Sequence, residues 1–178
     1  MTELKTIVIY KSKYGSTKTY AEWIASALSC EAADARDIKI EDLDLYDTII
    51  YGGGLYAEVI AGLTLITKNL DRLKGKKIVV FTTGITPVDC RDYYDKLVIE
   101  KNFKKGLPEG IKLFNLPGKM IVSELSLVHR TAIKSLKKLM SGKQNPTEME
   151  KLLIELCDCD ADYTDKQAIK ELIDYVLL

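Results

Sequence analysis

No charge of one sign dominates this chain: 26 Lys and Arg stand against 26 Asp and Glu over 178 residues. Nucleic-acid binders ordinarily carry a basic excess, so nucleic-acid binding is not expected. Long hydrophobic runs are missing too. The longest, such as Ile78 to Phe81, fall far short of the roughly 20 residues a membrane-spanning helix needs. Cysteine is sparse and unpatterned: Cys30, Cys90, Cys157 and Cys159 have no framework spacing, which argues against a disulfide scaffold and for reduced thiols in a cytoplasmic protein. The pair Cys157-x-Cys159, flanked by Asp158 and Asp160, falls short of a zinc ligand set, and no metal is assigned. No charged-then-apolar leader precedes Leu4, so no cleaved signal peptide is expected.

What is present suits one domain over residues 1–178, with 47% hydrophobic and 29% charged residues. Near-continuous apolar runs predict strands covered on both faces at Thr6 to Tyr10, Thr48 to Tyr51 and Lys77 to Thr83. A weaker strand is expected near Glu31 to Arg36, and a split one at 111–116 and 119–122 around Pro117-Gly118. Between them, helical periodicity covers 17–28, 63–73, 92–103, 127–140, 148–156 and 165–177. In the first of these, Tyr20, Ile24, Ala27 and Leu28 form the expected buried stripe. Thr147 with Glu150, and Thr164 with Gln167, have capping-box spacing. Strands alternating with helices predict an α/β fold: a five-stranded parallel sheet with helices on both faces.

The first strand gives way to a helix through Ser12-Lys13-Tyr14-Gly15-Ser16-Thr17. In that geometry the free amides of a helix N-terminus face an anion. Gly15 permits a concave run of N–H groups, Ser12, Ser16 and Thr17 add hydroxyls, and Lys13 and Lys18 add positive charge. An ordinary helix cap uses the same residue types. Three hydroxyls around one glycine, directly after the first strand, favour a phosphate. A nucleoside triphosphate loop is not matched, because no glycine lies five residues before Gly15 and no lysine follows it. Two further strand exits are rich in glycine and threonine: "GGGLYAEVIAG" after Tyr51 and "TTGITPVDC" after Phe81. Such exits are common turns in α/β folds, yet they also let backbone approach a flat ring, and Tyr56 offers it an aromatic face. The stretch Gly52 to Ala57 fits a G-x-G-x-x-A dinucleotide pattern, but a glycine triplet matches such patterns easily.

The spacing of Ser12, Gly15 and Thr17 resembles the flavodoxin loop T/S-x-T-G-x-T, which surrounds the terminal phosphate of flavin mononucleotide (FMN). Tyr14 departs from the hydroxyl amino acid usual at the third place. The resemblance implies a flavodoxin-like doubly wound fold with strand order 2-1-3-4-5 and FMN at the switch point. It assigns phosphate contacts to Ser12, Lys13, Tyr14, Gly15, Ser16 and Thr17. Ring contacts fall to Gly53, Gly54, Leu55 and Tyr56, and to Thr82, Thr83, Gly84, Ile85 and Thr86. A receiver-type signalling domain shares this fold but needs an Asp where the chain has Gly52 to Gly54.

Farther on, "KLFNLPGKM", "LSLVHRTAIKSLKKLM" and "DADYTDKQAIKELIDYVL" are similar to the flavodoxin-domain branch that contains menaquinone-dependent protoporphyrinogen oxidase. The resemblance therefore implies an FMN-binding redox protein carrying electrons between redox partners. Its alternatives are a flavin-dependent oxidase that passes electrons to a quinone, and a non-redox module for another phosphorylated ligand. The helix at 127–140 is apolar at Val128, Ala132, Ile133, Leu136, Leu139 and Met140, and basic at Arg130, Lys134, Lys137 and Lys138. Peripheral membrane contact and a core-packed helix with a solvated outer face both fit; the acidic stretch 148–165 favours the second. His129, the only histidine, reads as structural or as a proton donor to a ring or substrate. No residue is assigned a catalytic role.

Overall fold

Both faces of the first strand are covered, and Ile7, Val8 and Ile9 are wholly buried. A continuous apolar run is what such a strand requires, because alternate residues point into two different cores. The computed structural model describes residues 4–178. In chain order its elements begin with β1 (Thr6–Lys11), α1 (Ser16–Ala27), β2 (Glu31–Asp34), β3 (Thr48–Tyr56) and β4 (Val59–Ile60). Then come α2 (Thr64–Thr67), β5 (Lys77–Gly84), α3 (Ile99–Asn102), β6 (Ile111–Pro117) and β7 (Lys119–Met120). The last are α4 (Leu127–Ser141), α5 (Glu148–Leu156), β8 (Ala161–Asp162) and α6 (Lys170–Leu177).

Five strands pair in parallel in the order β2-β1-β3-β5-β6. This is the expected 2-1-3-4-5 order of a flavodoxin-like sheet, with β5 and β6 as the fourth and fifth parallel strands. The short β4 adds an antiparallel partner to the end of β3. One face of the sheet buries Ile7, Ile9, Ile49, Tyr51 and Val80 against Leu43, Ile66, Leu73 and Tyr94. The other buries Val8, Ile50, Val79 and Phe81 against Tyr20 and Ile24 of α1 and Leu172 of α6. Each large aliphatic side chain so buried stabilises the fold by about 1.5–3 kcal/mol before chain entropy is counted.

Several local expectations are corrected. In α1 the buried side runs through Tyr20, Ala21, Ile24 and Ala25, while Ala27 is exposed. The segment 63–73 is helical only at Thr64–Thr67 and proceeds by turns to Leu73, as the Asn69 side chain donates to the Leu65 carbonyl and competes with regular winding. The segment expected as a helix at 92–103 opens as a wide π-type winding over Asp92–Val98 before α3. The split strand ends at Pro117, where Gly118 N–H donates to Gly84 O at 2.7 Å; β7 then pairs antiparallel with β8, outside the main sheet. The Thr147–Glu150 capping box forms. The Thr164 one does not: Thr164 donates to Asp162, and Asp165 accepts from Gln167 N–H.

The largest correction concerns α4. With both sheet faces already covered, it packs on α5 and buries only Met140 among its own residues. Leu127, Val128, Leu136 and Leu139 are exposed, so this is not the core-packed helix expected. No helix among the described residues is long and apolar enough to cross a membrane.

Candidate functional site

Strand β1 stops at Lys11 because the chain must turn, and Gly15 makes the turn with φ at 95°, a region other residues enter at a cost. Gly15 N–H donates to Ser12 Oγ at 3.1 Å, so the Ser12 hydroxyl fixes the loop and does not cap the helix. No other side chain caps α1 either. The backbone N–H groups of its first turn, at Ser16, Thr17 and Lys18, are therefore open to an anion, reinforced by the helix dipole. The side chains of Ser16 and Thr17 are buried.

Thr17 Oγ1 lies 2.7 Å from Thr83 Oγ1, a buried contact between the start of α1 and the end of β5. Two cations stand at the loop. Lys13 Nζ reaches Ser126 Oγ at 3.3 Å. Lys119 comes from β7, and a Cβ placed on Gly15 would sit 3.9 Å from its Nζ. Lys119 makes no ion pair among the described residues. Sequence reasoning missed it, and no local signal marks it: only the turn at Gly118 carries it to the loop.

Tyr14 leaves the cradle. Its hydroxyl is 2.7 Å from His129 Nδ1 and accepts from Ser126 N–H at 3.2 Å, tying the loop to the first turn of α4. Burial opposes ionisation of Tyr14, but hydrogen bonds with Ser126 and the charge of Lys13 leave its pKa below the usual phenol value. Burial, and then Lys13, hold the His129 imidazole below its ordinary pKa. Tyr56 completes an aromatic cluster, its ring 6.3 Å from Tyr14 edge-on and 5.0 Å from His129 at 34°. Burial, then the neighbouring Tyr14, pushes the Tyr56 phenol up to about 12.

The glycine-rich exits differ from simple ring loops. Gly53 and Gly54 lie within β3, paired with Thr82 and Thr83. A Cβ on Gly52 would meet Phe81 Cζ at 2.0 Å, and one on Gly53 would meet Ile60 Cγ2 at 2.5 Å. Close packing alone therefore demands glycine at these two positions. Leu55 is half-buried against Gly84. Thr82 Oγ1 donates to Asn115 Oδ1 at 2.8 Å, so its side chain serves the sheet. Beyond β5, Ile85 is half-buried, and the Thr86 carbonyl accepts from Tyr94 at 2.7 Å. Gly84, Ile85 and Thr86 also edge an apolar cavity of about 300 Å³ walled by Leu152, Leu156 and Tyr163.

The fold thus brings residues 12–17, Tyr56 and Thr83 together, and adds Lys119, Ser126 and His129. The Thr82 hydroxyl and the Thr86 carbonyl are engaged in the scaffold. The arrangement offers a dipole-backed anion seat beside an aromatic wall, and a phosphate dianion fits its donors: free amides, hydroxyls and two lysines.

Residues 7–147 match the family described as "Flavodoxin domain". Among solved structures the chain is similar to a flavodoxin from the domain Archaea, 18% identical, with a TM-score of 0.43 over 87% of this chain and 97% of that one. It is similar to oxidised flavodoxin 2 from Bacillus cereus, 21% identical, TM-score 0.42, over 64% and 85% of the two chains. A third is a Fusobacterium nucleatum flavodoxin mutant bound to flavin mononucleotide, 15% identical, TM-score 0.39, over 65% and 71%. No curated protein matches the sequence.

Proposed function

Since the chain belongs to the flavodoxin-domain family, we propose that it is an FMN-binding redox protein that passes electrons between partners. The observation that carries this reading is the uncapped first turn of α1 behind Gly15. The FMN phosphate takes the amides of Ser16 and Thr17, with Lys13 and Lys119 supplying countercharge. Ring contacts fall to the segments 53–56 and 82–86, where Tyr56 offers an aromatic face and Gly84 to Thr86 offer backbone. When bound, FMN supplies the electron-accepting ring, while the protein binds, orients and tunes it. The partner is a redox protein in the cytoplasm. Zero net charge leaves little long-range steering, so that partner is recognised by local contacts. Purifying the protein and recording its absorbance with added FMN and riboflavin tests the reading: a bound flavin spectrum with FMN supports it, and none refutes it.

A second reading, a flavin-dependent oxidase of the quinone-dependent protoporphyrinogen oxidase type, is favoured by one observation. The apolar residues Leu127, Val128, Leu136 and Leu139 of α4 are exposed beside Lys134 and Lys138, a composition suited to an anionic membrane surface where quinones reside. It predicts sedimentation with anionic vesicles and bleaching of the flavin by protoporphyrinogen; a carrier shows neither. Binding of phosphorylated ligands without any flavin would instead indicate a non-redox module.

A further inference from the structure

The hydrogen bond between Tyr14 and His129 joins the phosphate loop to a helix that begins more than a hundred residues later. Tyr14 stands where the flavodoxin loop pattern has a small hydroxyl residue, and its long side chain delivers its hydroxyl to α4 instead. Resting on the FMN reading above, we propose that His129 is a proton-responsive member of the anion site, held beside the loop by Tyr14. Binding of the FMN phosphate draws a proton from solvent onto its imidazole.

The hydrogen bonds set the starting state. Ser126 N–H donates to the Tyr14 hydroxyl oxygen, and that hydroxyl has two neighbours within reach of its one proton, His129 Nδ1 at 2.7 Å and Ser126 Oγ at 3.4 Å. With the shorter contact taken as the donated one, the neutral imidazole accepts at Nδ1 and carries its own proton on Nε2. From the loop, Lys13 and Tyr14 face His129, and from β3 Tyr56 faces it; Lys13 is the one charged side chain whose field reaches it. No carboxylate among the described residues makes an ion pair with His129. Burial and Lys13 thus keep the ring neutral while the site holds no anion. A phosphate dianion beside Lys13 cancels that field and reverses its sign, and an opposite charge nearby favours the imidazolium.

A route for the rearrangement is already built. When Nδ1 gains a proton it donates to the Tyr14 oxygen, and the phenol proton turns to Ser126 Oγ, 3.4 Å away. Atoms and charge balance: one solvent proton is taken up, no covalent bond between residues changes, and Tyr14 remains neutral. His129 therefore contributes a positive charge only when the anion is present, which favours the phosphorylated flavin over riboflavin.

Between the lower pKa of the free site and the higher one of the loaded site, binding consumes a proton, so affinity falls as pH rises. The test is FMN affinity by fluorescence titration between about pH 6.5 and 8.5, above the second phosphate pKa of about 6, with riboflavin as control. A shift of about one pKa unit on loading weakens FMN binding by a few-fold, less than about fivefold, across that range, because the free-site midpoint lies below its lower end; riboflavin binding is unchanged. The variant His129→Gln flattens the FMN profile. Because His129 is the only histidine, its proton resonance reports the same change in wild-type protein: the imidazole midpoint rises on addition of FMN or inorganic phosphate. Tyr14→Phe, which removes the positioning hydroxyl, shrinks that rise. A flat FMN profile, or an unmoved midpoint in FMN-loaded protein, overturns the inference alone. Failure to bind FMN at any pH overturns it together with the reading on which it rests.

Discussion

Thr17 Oγ1 and Thr83 Oγ1 meet at 2.7 Å in the interior, joining the first turn of α1 to the last residues of β5. Both side chains are almost fully buried, so neither hydroxyl has water as a substitute partner. Thr17→Val leaves the Thr83 hydroxyl unsatisfied and is expected to cost about 1–3 kcal/mol of stability by urea denaturation. Changing Thr83→Val as well removes the orphaned group, so the double variant recovers part of that loss. Purely additive losses would show that the contact is not an energetic link.

Gly15→Asp strikes the anion seat twice. The left-handed backbone at φ 95° costs a non-glycine residue about 1–3 kcal/mol, and a carboxylate there opposes a phosphate. FMN binding is expected to fall below detection in fluorescence titration, while riboflavin binding is less affected.

Lys119→Ala should discriminate the two flavins. A charge-assisted contact contributes about 1.5–3 kcal/mol, so FMN affinity is expected to drop by about tenfold or more, with riboflavin unmoved. The loss should shrink at high salt, where the ammonium is screened. An equal loss for both ligands would place Lys119 against the ring or in the scaffold.

Tyr56→Ala should do the opposite. Losing an aromatic wall worth about 0.5–1.5 kcal/mol beyond its buried area weakens FMN and riboflavin alike and relieves quenching of flavin fluorescence. Its ring lies 5.0 Å from that of His129, so the same change also alters the imidazole midpoint.

Gly52→Ala tests the scaffold apart from the site. The added methyl would lie 2.0 Å from Phe81 Cζ, and overpacking of this kind typically costs about 1–3 kcal/mol. A lowered urea midpoint is expected, with FMN affinity of the folded fraction little changed.

The legible parts of the chain were those whose causes are local. Residues 12–17 announce their turn through one glycine and three hydroxyls, and the runs at Thr6, Thr48 and Lys77 announce buried strands because covered parallel strands tolerate no polar alternation. The capping box at Thr147 is equally local. Lys119, Ser126 and His129 were not legible as neighbours of the loop, because their approach depends on the turn at Gly118 and on where α4 begins. Gly53 reads as a ring-approach glycine, but the packing that also demands glycine at Gly52 and Gly53, against cross-strand Phe81 and the Ile60 hairpin, has no local signal. Periodicity showed that α4 is amphipathic but not that its apolar stripe would face outward, since nothing in its pattern says the sheet is already covered.

The most direct measurement is titration of purified apoprotein with FMN and riboflavin in parallel at one pH and salt concentration. Occupation of the α1 N-terminus by phosphate predicts a single FMN site bound far more tightly than riboflavin, with the difference abolished in Gly15→Asp. Equal affinities for the two flavins, or FMN binding that survives that substitution, would contradict it.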